Sequence, residues 1–389
     1  MTELDLIATA AFGLETVVAH ELKKLGYENL KVENGRVAFA GDVAAIARCN
    51  LWLRSADRLL LQLGEFEARS FEELFENTKK LPWPDWLPET AEFPVEGKSI
   101  QSKLFSVSDC QAIVKKAIVE KMKVKYPVKW FKENGPKYKI QVALLKNRAT
   151  LTIDTSGAGL HKRGYRKLSA EAPIKETLAA AMIYLSRWKA DRALIDPCCG
   201  SGTIPIEAGL IGRNIAPGLN RSFGAEHWPQ LAPEIWRSAR EEARDSILSR
   251  QDLGITGYDI DSQALELARY HAGQAGLRQQ ISFHRQPLSA LRSQYHYGYL
   301  ITNPPYGERL SEKAEVEQLY GQMGLISKQL DTWSFYILTS HPQFEKFFKR
   351  KADKKRKLYN GRIQCNYYQF FGPKPPKMSG PFASSLPSL

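Results

Sequence analysis

The stretch LIDPCCGSGTIPIEA, residues 194–208, joins an apolar run, a glycine-rich turn and the start of a helical pattern. The run ends in Asp196, glycines follow at Gly200 and Gly202, and a helix-compatible segment opens at Thr203. Glycine lets a ligand approach the backbone closely, and the first turn of a helix presents unpaired N–H groups. The stretch therefore predicts a strand, a ligand-binding turn and a helix, which together form the repeating unit of an open α/β sheet.

The same strand–helix alternation continues towards the C-terminus. From about residue 171 onward, strand-like runs occur in RALIDPCCGSGT, LGITGYDID, QISFHRQ, YGYLITNPPYG and WSFYILTS. Such alternation indicates a parallel, doubly wound sheet. The later run KLYNGRIQCNYYQFFG places an Asn-Gly pair between two strand-like segments, which predicts a terminal β-hairpin.

The N-terminal part of the chain reads as small α+β units. Strands are predicted at LDLIATA, RVAFAG and RLLLQLGEF, and a hairpin is predicted around Asn147 and Arg148. A long helix is expected over residues 108–126, capped by Ser108 or Asp109. The basic stretch SGAGLHKRGYRKLSAEAP, which follows the hairpin, is interpreted as a linker that runs over the surface.

The composition bounds the class of protein. A chain of 389 residues is expected to form two or three domains. Its 55 Lys and Arg against 42 Asp and Glu give a net charge of +13, which favours a nucleic-acid partner. The five cysteines form no CxxC pair, no apolar run is long enough for a bilayer, and the first residues do not resemble a signal peptide. A cytoplasmic protein with reduced thiols, no metal and no membrane partner is expected.

The glycine-rich turn predicts a particular kind of cofactor. It lacks the GK[ST] of a P-loop and the third glycine of the dinucleotide fingerprint. A ligand with an amino-acid end and a nucleoside end fits it, and S-adenosylmethionine is such a ligand. Asp259 is expected to accept the ribose hydroxyls, whereas Asp261 is either a cofactor contact or a helix N-cap. The cofactor-binding candidates are Asp196, Cys198, Cys199, Gly200, Ser201, Gly202, Thr203, Asp259, Asp261 and Asn303, with the two cysteines expected to pack in the loop.

A second motif, LITNPPYGERL at residues 300–310, predicts the chemistry. The lone pair of an exocyclic amino group on a base is delocalised into the ring. The Asn303 side-chain oxygen and the Pro304 carbonyl can each accept one N–H of that group and turn its lone pair towards an electrophilic methyl. Pro304 and Pro305 stiffen the chain, and Tyr306 offers a face for a flipped base. These four residues are the predicted catalytic residues, and a merely rigid turn is the alternative.

Together, DPCCGSGT and NPPYG resemble the signature of class I S-adenosylmethionine-dependent methyltransferases that act on adenine N6 or guanine N2. The runs LDLIATAAFGLE, LHKRGYR, APIKETLAAA, NPPYGERL and KLYNGRIQCNYYQ are similar to those of bacterial THUMP-domain rRNA methyltransferases. Within that family the resemblance is strongest to the N-terminal half of the bifunctional 23S rRNA guanine-N2 enzyme and its stand-alone homologues. The resemblance covers nearly the whole chain.

The resemblance implies a domain order and an activity. A Rossmann-like class I methyltransferase domain with a mostly parallel seven-stranded sheet is expected after an α+β unit made of ferredoxin-like and THUMP parts. The implied activity is methylation of a guanine N2, with S-adenosylmethionine as cofactor and 23S rRNA or a ribosomal precursor particle as partner. The expected ranges are 1–64 for the ferredoxin-like part, 65–155 for THUMP, 156–170 for a basic linker, 171–372 for the methyltransferase domain and 373–389 for a disordered tail.

Three features leave alternatives open. In place of the Asp that receives the cofactor adenine in relatives, FHRQPLSALRS offers Gln286, Ser289 or a backbone group. The insertion at residues 212–236 either covers the cofactor or shapes the target pocket. The basic residues His161, Lys162, Arg163 and Arg166 are predicted to contact RNA phosphates, with a solvated linker as the alternative.

Two other functions compete with guanine-N2 methylation. The same catalytic motifs serve N6-adenine methyltransferases that act on DNA or RNA. A DNA enzyme needs a region that reads base edges in the major groove, whereas the α+β units here suit RNA with unstacked bases. An RNA-binding protein without catalysis is the third interpretation, and the intact Asp196, Gly200, Gly202 and Asn303 argue against it.

Overall fold

The computed structural model describes residues 3–168, 174–249, 252–307 and 313–376. In these ranges the strands are β1 (Leu4–Ala10), β2 (Lys31–Glu33), β3 (Arg36–Gly41), β4 (Ala56–Glu67), β5 (Val95–Ile100), β6 (Lys139–Leu145), β7 (Arg148–Asp154), β8 (Leu194–Asp196), β9 (Ile255–Asp259), β10 (Ile281–Arg285), β11 (Tyr299–Thr302), β12 (Ser334–Thr339), β13 (Lys354–Asn360) and β14 (Ile363–Phe370). The predicted tail lies outside the described residues from position 377 onward.

The helices in the same ranges are α1 (Glu15–Lys24), α2 (Val43–Trp52), α3 (Phe71–Lys80), α4 (Trp83–Trp86), α5 (Val107–Lys125), α6 (Glu176–Ser186), α7 (Thr203–Gly212), α8 (Pro233–Asp245), α9 (Ser262–Gln274), α10 (Lys313–Gln329) and α11 (Phe344–Phe348). None of these described helices is both long enough and apolar enough to cross a bilayer.

The chain folds into two compact units that do not follow simple chain order. The first unit contains Met1–Ala10, Val18–Leu160 and Arg221–Glu242, and the second contains Ala11–Val17, His161–Asn220 and Ala243–Leu389. Each unit therefore includes a segment whose sequence neighbours belong to the other unit. Hydrophobic periodicity reports local structure and gives no sign of such an exchange.

The first unit is built on one seven-stranded sheet with the order β2-β3-β1-β4-β7-β6-β5. The long strand β4 pairs antiparallel with β1, placing Leu59 opposite Ala8, and with β7, placing Leu61 opposite Ile153. Both faces of these two strands carry buried residues, since three successive residues are buried in β1 (Leu6, Ile7 and Ala8) and three in β4 (Leu59, Leu60 and Leu61). A single sheet therefore serves both the ferredoxin-like and the THUMP parts.

Two details of the first unit differ from the prediction. Helix α5 begins at Val107, with Ser106 at the N-cap, so neither Ser108 nor Asp109 caps it. Both residues lie in the first turn, where the charge of Asp109 is favourable to the helix dipole. Strand β5 was not predicted, because VEGKSI has a glycine, two charges and only half-buried or exposed residues. The segment forms a strand through its parallel pairing with β6, which its composition does not indicate.

Most of the insertion at residues 212–236 belongs to the first unit, which contains Arg221–Glu242. Trp228 is buried and stacks on Tyr138 with ring centroids 4.5 Å apart. Its indole N–H donates to the Lys137 carbonyl at 3.1 Å, and Phe223 stacks on Trp236 at 5.4 Å. These aromatic contacts give the segment a structural role.

The second unit confirms the predicted seven-stranded, mostly parallel sheet. Its order is β10-β9-β8-β11-β12-β14-β13, and β14 runs antiparallel to both of its neighbours. Successive residues of β8 and β11 are buried in two different core clusters, as expected for strands covered on both faces. Since β14 is antiparallel to both β12 and β13, strand β13 runs in the same direction as β12. Its last residue therefore lies at the same sheet edge as the ends of β8, β9 and β11.

Part of the stretch interpreted as a surface linker is buried in the second unit. Arg163 and Tyr165 are only 3% and 2% exposed. A linker that runs over the surface does not bury its side chains, so this interpretation was wrong for these residues. The basic composition concealed the burial because the positive charge of Arg163 is paired inside the core.

Candidate active site

The predicted cofactor loop connects β8 with α7. Gly200 and Gly202 have φ angles of +50° and +83°, a region that other residues adopt only under strain. A Cβ added to Gly202 would lie 3.0 Å from the Ala268 Cβ and 3.1 Å from the Phe283 ring. The loop therefore needs glycine for conformation at both positions and for space at Gly202. Thr203 opens α7 as predicted, so the first-turn amides of that helix face the loop.

Asp259 connects this loop to the end of β9. One oxygen of its carboxylate accepts a hydrogen bond from the Gly200 N–H at 2.8 Å, and the other accepts one from the Asp261 N–H at 3.0 Å. Each carboxylate oxygen has a second lone pair that a ribose hydroxyl could use. The ribose role of Asp259 stays a prediction, and the geometry is compatible with it.

Asp261 is the N-cap of α9, the alternative that the sequence left open. Its side chain accepts a hydrogen bond from the Gln263 N–H at 2.8 Å. A contact of Asp261 with the cofactor stays a prediction. The expected adenine contact is also undecided. The backbone N–H of Gln286 donates to the Asp259 carbonyl, so that N–H already has an acceptor within the protein. Ser289 is exposed and follows β10 in the chain.

Asp196 is buried between the two predicted motifs. Its Oδ1 accepts hydrogen bonds from the Thr302 hydroxyl at 2.6 Å and from the Cys198 N–H at 3.2 Å. Burial raises the pKa of this carboxyl to about 7, and the nearby charge of Asp259 acts in the same direction. Among the described residues both donors bind Oδ1, so Oδ2 remains for a ligand such as an ammonium group. The sequence did not point to Thr302. This residue precedes Asn303, and its hydroxyl connects the NPPY motif to Asp196 at the start of the cofactor loop.

The two cysteines of the loop are neutral thiols. Burial raises the pKa of both Cys198 and Cys199 above the usual range, and the carboxylates of Asp196 and Asp259 add to the effect. A thiol nucleophile needs the opposite shift. This agrees with the expectation that these residues pack in the loop.

The NPPY motif leaves the end of β11 in a defined conformation. Tyr306 donates its hydroxyl hydrogen to Oδ1 of Asn303, and the amide of Asn360 donates to the Tyr306 hydroxyl at 3.2 Å. Burial raises the pKa of Tyr306 well above its ordinary value, so the phenol keeps the proton that it donates. The Tyr320 hydroxyl donates to the Pro305 carbonyl at 2.8 Å and fixes the backbone. The chain from Asn360 through Tyr306 to Asn303 holds the amide in one orientation.

Asn360 is a residue of this site that sequence reasoning missed. Its Asn-Gly pair was read only as a hairpin turn, and the hairpin of β13 and β14 is confirmed. Locating Asn360 near Tyr306 requires the strand order, because 54 positions separate the two residues. The available signal was that Asn360 is a polar residue at the end of a strand, the position that the other site residues also occupy.

Two of the four predicted RNA contacts lie in ion pairs of the second unit. The guanidinium of Arg163 donates two hydrogen bonds to Glu207 at 3.3 Å, and the side chains are 2% and 0% exposed. The Tyr165 hydroxyl donates to the same carboxylate at 3.1 Å. A phosphate cannot reach Arg163 without opening this cluster, so its assignment to RNA is corrected. Arg166 pairs with Glu176 at 2.9 Å and is mostly buried.

His161 and Lys162 differ from these buried arginines in their exposure. His161 is half-buried and Lys162 is exposed. An exposed ammonium is accessible to a phosphate group. RNA contact by these two residues stays a prediction.

The sheet, the glycine turn, the acidic residue that ends β9 and the NPPY motif after β11 define a class I S-adenosylmethionine-dependent methyltransferase. Family models agree. The RMKL-like methyltransferase domain matches residues 163–369, the RlmL ferredoxin-like domain matches 5–60, and the THUMP domain matches 68–154. The chain belongs to the RMKL-like methyltransferase family. The predicted combination of ferredoxin-like, THUMP and methyltransferase domains is confirmed.

Named relatives are similar over most of the chain. It is 51% identical over 373 residues to "Putative RNA methyltransferase YpsC" of Bacillus subtilis (strain 168), covering 95% of this chain and 97% of that protein. It is 33% identical over 384 residues to "Ribosomal RNA large subunit methyltransferase K/L" of Syntrophotalea carbinolica, covering 94% of this chain and 53% of that protein. The chain therefore spans about half the length of this K/L relative.

Solved structures match closely in fold. A "predicted N6-adenine-specific DNA methylase" from Listeria monocytogenes is 52% identical with a TM-score of 0.92, covering 96% of this chain and 97% of that one. The structure of SMU.472, described as "a putative methyltransferase", was solved with S-adenosylhomocysteine (SAH) bound. It is 46% identical with a TM-score of 0.91, covering 97% of this chain and all of that one. S-adenosylmethionine is thus the cofactor, as predicted, and the glycine cradle and the acidic residues of the loop fit it.

Proposed function

We propose that this protein transfers a methyl group from S-adenosylmethionine to the exocyclic N2 amino group of a guanine in 23S rRNA. The observation that carries the proposal is the position of the Asn303 amide. Its oxygen is oriented by Tyr306 at the sheet edge that also carries Asp196 and Asp259. The Thr302 hydroxyl bonds directly to Asp196, so the acceptor and the cofactor loop are held as one piece.

The acceptors do their work by holding the amino group. The Asn303 Oδ1 uses one lone pair for the Tyr306 hydroxyl and keeps the second for an N–H of the base. The Pro304 carbonyl accepts the other N–H. With both hydrogens held, the nitrogen lone pair is turned out of conjugation and towards the methyl group.

The cofactor is held by residues already described. The first-turn amides of α7 and Oδ2 of Asp196 suit its amino-acid end, and Asp259 suits its ribose. Bound S-adenosylmethionine supplies an electrophilic methyl group. The methylated amine is acidic and loses its extra proton to water, so the site needs no strong general base. This agrees with the uncharged acceptors at Asn303 and Pro304.

RNA is the substrate class that the remaining features support. The net charge of +13 favours a polyanion. A DNA enzyme needs a region that reads base edges in the major groove, whereas this chain has a THUMP domain at residues 68–154. The K/L relative carries ribosomal RNA in its name. The Asn303 and Pro304 acceptors would hold an adenine N6 equally well, so N6 methylation is the second candidate.

The test is transfer of a labelled methyl group to rRNA from cells that lack this enzyme, with duplex DNA in parallel. Label recovered as N2-methylguanosine from 23S rRNA supports the proposal, label recovered as N6-methyladenosine supports the second candidate, and label in DNA alone overturns both. Asn303→Ala is the control for the site, because it keeps the cofactor loop intact. A variant that transfers the label at the wild-type rate would show that another group holds the amino group.

A further inference from the structure

The short segment Ala11–Val17 is fixed to β13 within the second unit. Gly13 has a φ of +90°, and an added Cβ would lie 2.7 Å from the Lys357 carbonyl oxygen. Arg356 donates to the Gly13 carbonyl at 3.2 Å and to the Thr16 hydroxyl at 3.4 Å. The loop therefore cannot move away from the strand without losing these contacts, and the side chain before Gly13 is held in place.

That side chain, Phe12, is 51% exposed although it is aromatic. Its ring lies edge-on to Tyr359, with centroids 6.0 Å apart and an interplanar angle of 80°. The Lys357 ammonium lies 5.6 Å from the centroid of the Tyr359 ring. Arg362 follows in the exposed hairpin turn. Neither Lys357 nor Arg362 forms an ion pair with any residue in the described ranges.

These residues lie at the end of β13 that also carries a residue of the candidate active site. Tyr359 precedes Asn360, the residue whose amide donates to the Tyr306 hydroxyl. A base that enters the site must be turned out of its strand, and the nucleotides on either side then need a place to lie. Exposed aromatic rings offer stacking to unpaired bases of any sequence, and neighbouring cations offer contacts to phosphates.

We propose that Phe12, Lys357, Tyr359 and Arg362 form a docking surface for the single-stranded RNA that flanks the target base. Phe12 stacks on a neighbouring base, supported from the side by Tyr359. Lys357 and Arg362 contact the phosphates. The proposal rests on RNA as the substrate class given above, and it does not depend on which base is methylated.

The experiment measures affinity for a short single-stranded RNA by fluorescence anisotropy over a range of salt concentrations. Phe12→Ala removes the stacking ring, and Lys357→Ala with Arg362→Ala removes the two cations. Matched controls are Phe371→Ala, an aromatic that follows β14 and is 48% exposed, and Lys351→Ala with Lys354→Ala, which remove the same charge. SAH binding and thermal unfolding confirm that each variant is folded.

Phe12→Ala is expected to weaken RNA binding roughly 5- to 150-fold, which is the cost of one stacked base. The double lysine–arginine variant should lower the slope of log K against log salt by about 1.4, since each phosphate contact on a single strand contributes about 0.7. The control variants should lower neither quantity to this extent. In methyl transfer, the surface variants should raise KM for RNA and leave SAH binding unchanged.

Equal affinities and equal salt slopes for the surface and control variants would overturn the proposal. Tighter binding of single-stranded DNA than of RNA would also overturn it. Failure of the proposed function appears elsewhere, as the absence of methyl transfer to rRNA by the wild-type protein. The anisotropy measurement is informative even then, because it requires no turnover.

Discussion

Tyr306 donates its phenolic hydrogen to Oδ1 of Asn303. The residue expected to stack the target base therefore also orients the residue expected to hold the amino group. The phenol in turn accepts a hydrogen bond from Asn360, so three side chains from two distant parts of the sequence act as one unit. Several consequences of this arrangement can be measured.

Asn303→Ala should lower kcat by about 100-fold or more, because it removes an acceptor that is needed only when the amino group is held for attack. The Kd for SAH should remain within about twofold of the wild-type value, since the cofactor loop is untouched. Stopped-flow or quench measurement of methyl transfer, with calorimetric titration of SAH, checks both. A variant that loses cofactor affinity in proportion to activity would contradict the assignment.

Tyr306→Phe keeps the ring and removes the hydroxyl that orients Asn303. We expect it to lower kcat by about tenfold, with little change in KM for RNA. Asn360→Ala should have a similar, smaller effect because it acts through Tyr306. The double variant should be no worse than Tyr306→Phe alone, as expected for residues in one hydrogen-bond chain. Gln364→Ala, at an exposed position of the same hairpin, is the matched control. Additive losses in the double variant would separate Asn360 from the chain.

Binding of SAH should depend on pH through Asp196. Its pKa of about 7 means that the carboxyl is largely protonated below neutrality in the free protein. A ligand with an ammonium group favours the ionised form, so affinity should fall about tenfold per pH unit below this value and level off above it. Titration calorimetry of the wild-type protein and of Asp196→Asn measures this. If the variant keeps the same pH dependence, another group is responsible.

Arg163→Ala should destabilise the protein by about 3–5 kcal/mol, because it leaves the Glu207 carboxylate buried without its partner. Arg163→Met combined with Glu207→Gln should recover most of this loss, since it removes both charges and keeps an acceptor for Tyr165. Urea unfolding measures the effect. Affinity for RNA should be unchanged in the stable double variant. A loss of RNA affinity at full stability would restore the phosphate contact that the structure argues against.

Much of the second unit could be predicted from short-range signals. The apolar runs that end in Asp196, Asp259 and Asn303 locate three parallel strands, and Gly200 with Gly202 locates the cofactor turn. These features are local, because a strand period and a glycine turn depend on a few neighbouring residues. Thr203 was likewise placed correctly at the start of α7.

What escaped prediction depends on contacts between distant residues. Asn360 reaches Tyr306 because β13 runs parallel to β12, with the antiparallel strand β14 between them. Arg163 looks like a surface cation until Glu207 is seen to be buried beside it. Residues 221–242 carry aromatic side chains that the sequence alone could not assign to the first unit. Each of these outcomes is decided by tertiary contacts between distant residues, and such contacts produce no hydrophobic periodicity in the sequence.

The measurement that tests the central claim most directly is nucleoside analysis of 23S rRNA after incubation with S-adenosylmethionine and either the wild-type protein or Asn303→Ala. The rRNA comes from cells that lack the enzyme, and the digest is resolved by mass spectrometry. N2-methylguanosine formed by the wild-type protein and absent with the variant is the predicted result. N6-methyladenosine in its place, or the same yield of N2-methylguanosine from both proteins, would contradict the account.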